Sequence, residues 1–301
     1  MKKRRVLALA LALCLLLAGC KGIGEEYELA IGARGSDSYA LGEEIAAALA
    51  AAGPEVQLVP VETHGTLSSI ELLAEGGAEF ALLDASLAKQ AYAENDRLRA
   101  VTAVAPLCVH LVVTNASGIL TVSDLRARRV ALGSELEGTA SLAVDIVEAS
   151  GLELKDLQRR EMTMGDAIEA LQSGELDAAF LLAVPGSTQI QQLARNCSVR
   201  FIGISGDAAR AAMGGREFTE YELPANCYEG QEEAVQTVAT DLLLVCDASV
   251  SDSMVEAVKR TLDEVLAETL ELQGIALRGY AKNIYSIPTH NGATRAAEDG
   301  R

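Results

Sequence analysis

The chain has 301 residues, 43 of them acidic and 25 basic, for a net charge of −18. A surface this acidic excludes nucleic acid and anionic lipid as charge-driven partners, because both are polyanions. Half of the residues are apolar, with no Trp and four Phe; the Ala, Leu and Val that dominate supply a core and suit helices packed on parallel strands.

Lys2, Lys3, Arg4 and Arg5 precede an apolar run from Val6 to Ala18, which closes on Leu17-Ala18-Gly19-Cys20. A charged start, a short apolar stretch and small residues at its end are the layout of a secretory signal. The run is shorter than the ~20 residues that a membrane-spanning helix needs. Cysteine directly after Leu-Ala-Gly resembles the lipobox of bacterial lipoproteins. That resemblance implies a signal peptide over 1–19, lipid attachment at Cys20 and a short polar tether over 20–26. The expected location is the outer face of the cell membrane, on its periplasmic or extracellular side, with the lipid on Cys20 as the membrane contact.

From Tyr27 onward, strand-like and helix-like runs alternate. Tyr27 to Ile31 reads as a strand, and Leu41 to Ala52 as a helix with Leu41, Ile45 and Leu49 on one face. Val56 to Val61 is a strand, and Leu67 to Ala74 a helix with Leu67, Ile70 and Leu73 inward. Phe80 to Leu83 is a strand and Ala85 to Tyr92 a helix, followed by a long apolar segment from Val101 to Thr114. A second cycle begins at Val122. It has strands at Val130 to Leu132, Ala178 to Ala183 and Val199 to Ile204. Its helices are Gly138 to Ala149, Gly165 to Gln172, Thr188 to Arg195 and Asp207 to Met213. Thr237 to Cys246 is a second long apolar segment. Ser251 to Leu272 is an amphipathic helix with Ser251 as its cap.

Two strand–helix cycles predict two α/β lobes with mostly parallel sheets. The long apolar segments bracket the second cycle, so the chain leaves the first lobe at one and returns at the other. The expected division is 27–113 plus 241–301 for lobe 1 and 114–240 for lobe 2, joined by a two-crossing hinge with a cleft between the lobes. With Cys14 and Cys20 assigned to the leader and the lipid, four cysteines remain. Cys108 and Cys246 sit in apolar runs and read as small buried hydrophobes. Cys197 and Cys227 lie in more polar stretches, where the spacing leaves their pairing open.

Ligands of open α/β sheets bind at the carboxyl ends of strands. Five small, polar loops stand there: Gly32-Ala33-Arg34-Gly35-Ser36-Asp37-Ser38-Tyr39, Glu62-Thr63-His64-Gly65-Thr66, Asp84-Ala85-Ser86, Gly133 to Thr139, and Val184-Pro185-Gly186-Ser187-Thr188. Each leads into a helix start, which offers backbone N–H groups to an anionic ligand group. Each is also ordinary turn and cap chemistry when taken singly. None is a nucleotide-binding G-x-G-x-x-G or a P-loop. His64 reads either as a ligand contact or as a loop histidine facing water. His110 lies two residues from Cys108 on one strand face and reads as core, because two ligands without a third make no metal site.

Several of these motifs together resemble the TAXI family, solute receptors of tripartite ATP-independent periplasmic (TRAP) transporters. Tyr39-Ala40-Leu41-Gly42 resembles the family's Tyr-x-Leu/Ile-Gly, and Thr63-His64-Gly65-Thr66 its Thr-Gly-Gly-Ser loop. Gly133 with Gly138-Thr139, and the stretch from Phe180 through Pro185 to Ile190, resemble features of its second lobe. Pro224-Ala225-Asn226-Cys227-Tyr228 with Gly230-Gln231 resembles Pro-Ala-Gly-x-Tyr-x-Gly-Gln. Ile287-Pro288-Thr289-His290 with Gly292-Ala293 resembles the C-terminal Pro-x-His-Pro-Gly-Ala, where His290 reads as structural. The resemblance implies a two-lobed, type II periplasmic-binding-protein-like α/β fold, no enzymatic activity and no cofactor. It also implies a TRAP permease of small and large membrane subunits as partner. The chain departs from the family pattern at Arg34, Asp37, His64, Asp84, Glu135 and Glu137, each of which adds charge near the expected cleft.

The expected ligand-binding residues are Arg34, Ser36, Ser38, Tyr39, Thr63, His64, Thr66, Asp84, Gly138, Thr139 and Pro185, with no metal and no catalytic residue. The expected ligand is a small polar organic solute, an amino acid such as glutamate or a related organic acid. A carboxylate would sit on the helix start at Gly138-Thr139 or pair with Arg34, and Asp84, Glu135 or Glu137 would receive an ammonium. Two alternatives stay open: a module presenting bound solute to a membrane signalling protein, and an enzyme on the same fold.

Overall fold

The computed structural model describes residues 26–53, 56–272 and 286–299, with the side chains of 265–272 outside that description. The expected signal peptide over 1–19, the lipid site Cys20 and the tether residues before Glu26 lie outside the described residues; Glu26 itself opens the first strand.

The first cycle consists of β1 (Glu26–Ala30), α1 (Asp37–Ala52), β2 (Gln57–Val61), α2 (Thr66–Ala74), β3 (Phe80–Asp84) and α3 (Ala85–Glu94). It runs into the 17-residue β4 (Leu98–Thr114). The second comprises β5 (Arg129–Ala131), α4 (Thr139–Ala149), β6 (Gln158–Arg160), α5 (Met164–Gln172), β7 (Ala178–Ala183), α6 (Thr188–Asn196), β8 (Val199–Ile202), α7 (Gly206–Met213) and β9 (Thr219–Leu223). β10 (Val235–Asp247) leads back to α8 (Asp252–Leu272) and α9 (Asn291–Asp299). Among the described residues, no helix is long and apolar enough to cross a membrane.

The result is a mixed α/β fold on a single curled sheet, ordered β2-β1-β3-β10-β4-β7-β5-β6, with β8 on β4 and β9 on β10. The outer pairs, β1–β2, β1–β3, β5–β6 and β5–β7, are parallel. Every pair that involves β4 or β10 is antiparallel. The expectation of mostly parallel sheets therefore holds at the periphery and fails at the centre. A strand that leaves one half of the sheet and a strand that returns to it must run in opposite senses.

β4 and β10 are shared by both halves. Leu98 to Cys108 of β4 pair with β10, and Cys108 to Thr114 pair with β7 and β8. The β4–β10 register shifts at Leu242/Leu243 and at Leu244/Val245, irregularities that bend a strand. The apolar packing changes hands where β4 passes from β10 to β7, at Leu107/Cys108. One set of clusters holds Leu29, Ile45, Phe80, Leu107 and Leu242; the other holds Cys108, Val109, Ile146, Phe180 and Ala239. β3 is buried at all five positions, as expected of a strand covered on both faces.

Helix starts follow local chemistry. Ser36, Asp84 and Thr163 accept backbone N–H bonds as caps of α1, α3 and α5. α1 begins at Asp37, four residues before its apolar periodicity, because the Ser36 cap sets the start. Ser251 accepts the N–H of Met254 as expected. β6, with the exposed sequence Gln-Arg-Arg, escapes sequence reading because it presents no apolar face. The short β9 and α9 likewise carry weak patterns. Cys108 and Cys246 are buried, and all four cysteines among the described residues are free, Cys197 and Cys227 included. His290 donates from Nε2 to the Val250 carbonyl and accepts the Gly292 N–H at Nδ1, locking the turn into α9.

Candidate functional site

The carboxyl ends of β1, β3, β5 and β7 point toward one cavity between the two halves of the sheet. It encloses about 570 Å³ of space, open solvent included. Five helix starts reach it. Ser36 and Asp37 come from α1, Thr66 from α2, Asp84 from the cap of α3, Thr139 from α4 and Met164 from α5. Converging N-termini bring free N–H groups and partial positive charge. The starts of α2 and α4, capped by Gly65 and Gly138, have no side-chain cap. Leu107, Phe180, Leu182 and Leu242 supply apolar walls.

Gly133 makes the α4 start possible. Its φ of 91° is left-handed, and a Cβ there would meet the Thr139 side chain at 2.5 Å. Across the cavity, Gly65 approaches the Leu136 carbonyl so closely that a Cβ would stand 2.8 Å from it. The two halves meet again where Lys89 pairs with Glu217 at 3.0 Å.

Three carboxyls line the cavity. Asp37 is buried; it accepts the Val184 N–H at 2.9 Å and the Ser187 hydroxyl at 2.8 Å, both from the second half. Burial pushes it up to about 6 against the pull of those two bonds. Asp84 is 4% exposed. Its Oδ1 accepts the Leu87 N–H at 2.9 Å, and its Oδ2 has no hydrogen-bond partner. Burial pushes this group also to about 6, offset by the Leu87 bond. Glu137, half-buried on the opposite half, rises to about 7; burial is the main cause, the Met164 N–H opposes it and Asp166 adds to it. No Lys, Arg or His stands in the described lining.

Of the residues expected from sequence, Ser36, Ser38, Thr66, Asp84 and Thr139 line this cavity. Ser36 and Ser38 share a 2.9 Å hydroxyl bond. Gly138 lines a smaller adjoining cavity, which Asp84 and Glu137 also border. The other five stand off the lining. Arg34 is exposed, pairs with Glu62 at 2.7 Å and lies over the Tyr39 ring at 4.9 Å. Tyr39 donates to Glu43. Thr63 bonds Ser69 at 2.8 Å and holds its own loop, and His64 is exposed. Pro185 is buried behind the wall, in the turn that carries Val184 and Ser187 to Asp37.

Of the three carboxyls, Asp84 and Glu137 are legible in the sequence as acids for an ammonium, and Asp37 only as added charge. An acid one residue past a serine cap, in the first turn, was the available signal for Asp37; its burial was not. His110 stands behind the site as core. Its Nδ1 donates to the Cys108 carbonyl at 3.0 Å, its Nε2 accepts the Tyr228 hydroxyl at 2.9 Å, and burial lowers it to about 4.

Residues 29–299 match the family model described as the NMT1-like family. Three solved structures have a similar fold. The alkanesulfonate-binding protein from Xanthomonas axonopodis pv. citri, bound to MOPS, is 16% identical with a TM-score of 0.51, over 85% of this chain and 81% of that one. The periplasmic aliphatic sulphonate binding protein from Escherichia coli is 15% identical with a TM-score of 0.51, over 83% and 78%. The GluR0 ligand-binding core in complex with L-glutamate is 14% identical with a TM-score of 0.53, over 84% and 98%.

Proposed function

The chain belongs to the NMT1-like family, and on that premise we propose that it is an extracytoplasmic solute receptor, a binding protein and not an enzyme. It captures a small polar organic solute, an amino acid or related organic acid, between lobe 1 (27–113 plus 241–301) and lobe 2 (114–240). The observation that carries this reading is the single cavity at which five helix starts and three carboxyls from both halves converge. The sulfonate- and glutamate-binding proteins that share the fold support the same class of ligand.

β4 and β10 act as the hinge, since each crosses from one half to the other and β10 carries register shifts on the first-half side of the crossing, at Leu242/Leu243 and Leu244/Val245. Closure brings lobe 2 onto the solute held by lobe 1. The closed receptor then docks on a TRAP permease, the partner implied by the sequence motifs, while the lipid on Cys20 confines it to the membrane and raises its local concentration there.

Mass spectrometry of small molecules released from the purified native protein tests the receptor reading, paired with X-ray scattering before and after the released compound is added back. The expected result is one bound organic solute and a smaller radius of gyration in its presence. A protein that carries no solute and does not compact with any compound of these classes would overturn it. Cys20→Ser should release the receptor from the membrane with its affinity unchanged; coexpression with a TRAP permease should give uptake that depends on the receptor.

A further inference from the structure

We infer that the solute carries a primary ammonium group, bound between the free Oδ2 of Asp84 on one half and the carboxyl of Glu137 on the other; this rests on the receptor reading above. The first observation is the orphaned oxygen. Oδ1 of Asp84 is committed to the start of α3, whereas Oδ2 is buried without a donor on the cavity wall. A buried carboxylate oxygen left bare is costly, and it persists where a ligand supplies the missing donor.

The second observation is the sign of the surroundings. Asp37, Asp84 and Glu137 all line the main cavity, and no described cationic side chain does; Arg216 borders the adjoining cavity but is paired with Asp145 at 2.6 Å. Arg34, the residue placed to neutralise an acidic ligand, is turned outward onto Glu62. The helix starts around the cavity contribute only partial positive charge, so a full cation to match these carboxyls comes with the solute. A metal ion does not fit, since among the described residues no group of three His, Cys, Asp or Glu could hold one. An ammonium does fit, because it carries three donors and needs only a few acceptors.

The third observation is where the acids come from. Asp84 belongs to the half built on β3, and Glu137 to the half built on β5, yet both border the same two cavities. Bringing two carboxylates together across a closing cleft is repulsive in a medium of lowered dielectric. A cation between them turns that repulsion into attraction. The ammonium is thus the group that closes the cleft, and a solute of the same shape without it leaves the halves apart.

The test uses amines and their deaminated counterparts on the full mature chain. L-glutamate is set against glutarate, L-alanine against propionate, and putrescine against butane-1,4-diol, by calorimetry and X-ray scattering. At least one amine should bind and compact the protein, and its counterpart should do neither. Asp84→Asn, which keeps the cap on Leu87, should weaken that amine roughly tenfold or more, as expected for loss of a hydrogen bond to a charged group. A counterpart that binds as tightly as its amine, or an Asp84→Asn protein with unchanged affinity, would overturn the inference while leaving the receptor reading in place. Silence from both series, with no compaction, would overturn both. The wild-type comparison of amine with counterpart does not depend on how the variant folds.

Discussion

The carboxylate of Asp37, on the first turn of α1, accepts the hydroxyl of Ser187 at 2.8 Å from 150 residues further along the chain. Its other oxygen takes the Val184 N–H at 2.9 Å. These bonds link the opening loop of the first half to the turn after β7 in the second. Asp37→Ala should strip the Val184 N–H of its partner at a cost of about 1–3 kcal/mol. If the link forms on closure, solute affinity falls roughly five- to 150-fold. Calorimetry with the cognate solute measures it; unchanged affinity would mean that the bond is equally present in the open form.

Asp84 makes a second, pH-dependent prediction. Its folded value of about 6 lies above its ordinary 3.8. The stabilisation this gives is complete below about pH 4 and is lost as pH rises through about 6. At neutral pH the buried charge costs at most about 3 kcal/mol. Asp84→Asn keeps the helix cap and escapes that cost. Its melting temperature without solute, relative to wild type, should therefore climb between about pH 4 and about pH 7. Asp37, Glu137 and His110 titrate in both proteins and largely cancel in the difference. A flat difference across that window would show that Asp84 is not held in a desolvated site.

Gly65 tests the approach of the two halves. A methyl group there would collide with the Leu136 carbonyl across the cavity, at a φ of 132° that side chains rarely adopt. Gly65→Ala should leave each half folded, with unchanged far-ultraviolet circular dichroism, and should block compaction in X-ray scattering at saturating solute. The strain amounts to about 1–3 kcal/mol. Normal compaction would mean that the 62–66 loop gives way more easily than its contacts indicate.

Tyr228 tests the core behind the cavity. Its hydroxyl accepts the Gly186 N–H at 3.1 Å and donates to Nε2 of His110, while its ring stacks on Phe201 at 4.7 Å. Tyr228→Phe keeps the stack and leaves two buried polar groups unpaired, for a loss of about 1–3 kcal/mol in chemical denaturation. Glu137, Asp84 and Asp37 are untouched, so solute affinity should change far less than stability. A variant as stable as wild type would mean that water replaces the hydroxyl.

Much of the fold was legible in the chain. The i, i+4, i+8 spacing of Leu41, Ile45 and Leu49 located α1, and all three are buried. The long segments near residues 105 and 240 stood out as unbroken apolar runs and proved to be the two strands common to both halves. Their antiparallel pairing was not legible, because strand direction depends on the path of the chain between strands. Arg34 shows the same limit at the site. Its place in a strand-end loop is legible in the sequence, but the direction of its side chain is set by Glu62, from the next loop along.

By itself, the sequence determined the alternation of strands and helices and the loops at which helices start. Those are local properties, written in periodicity and in cap residues within a few positions of each other. Only the tertiary structure decided which loops face the cavity, that Asp84 keeps one bare oxygen, and that Asp37 is held by Val184 and Ser187. The physical reason is that burial and charge belong to whatever packs around a group. For these carboxyls, much of that surrounding matter comes from the other half of the sheet.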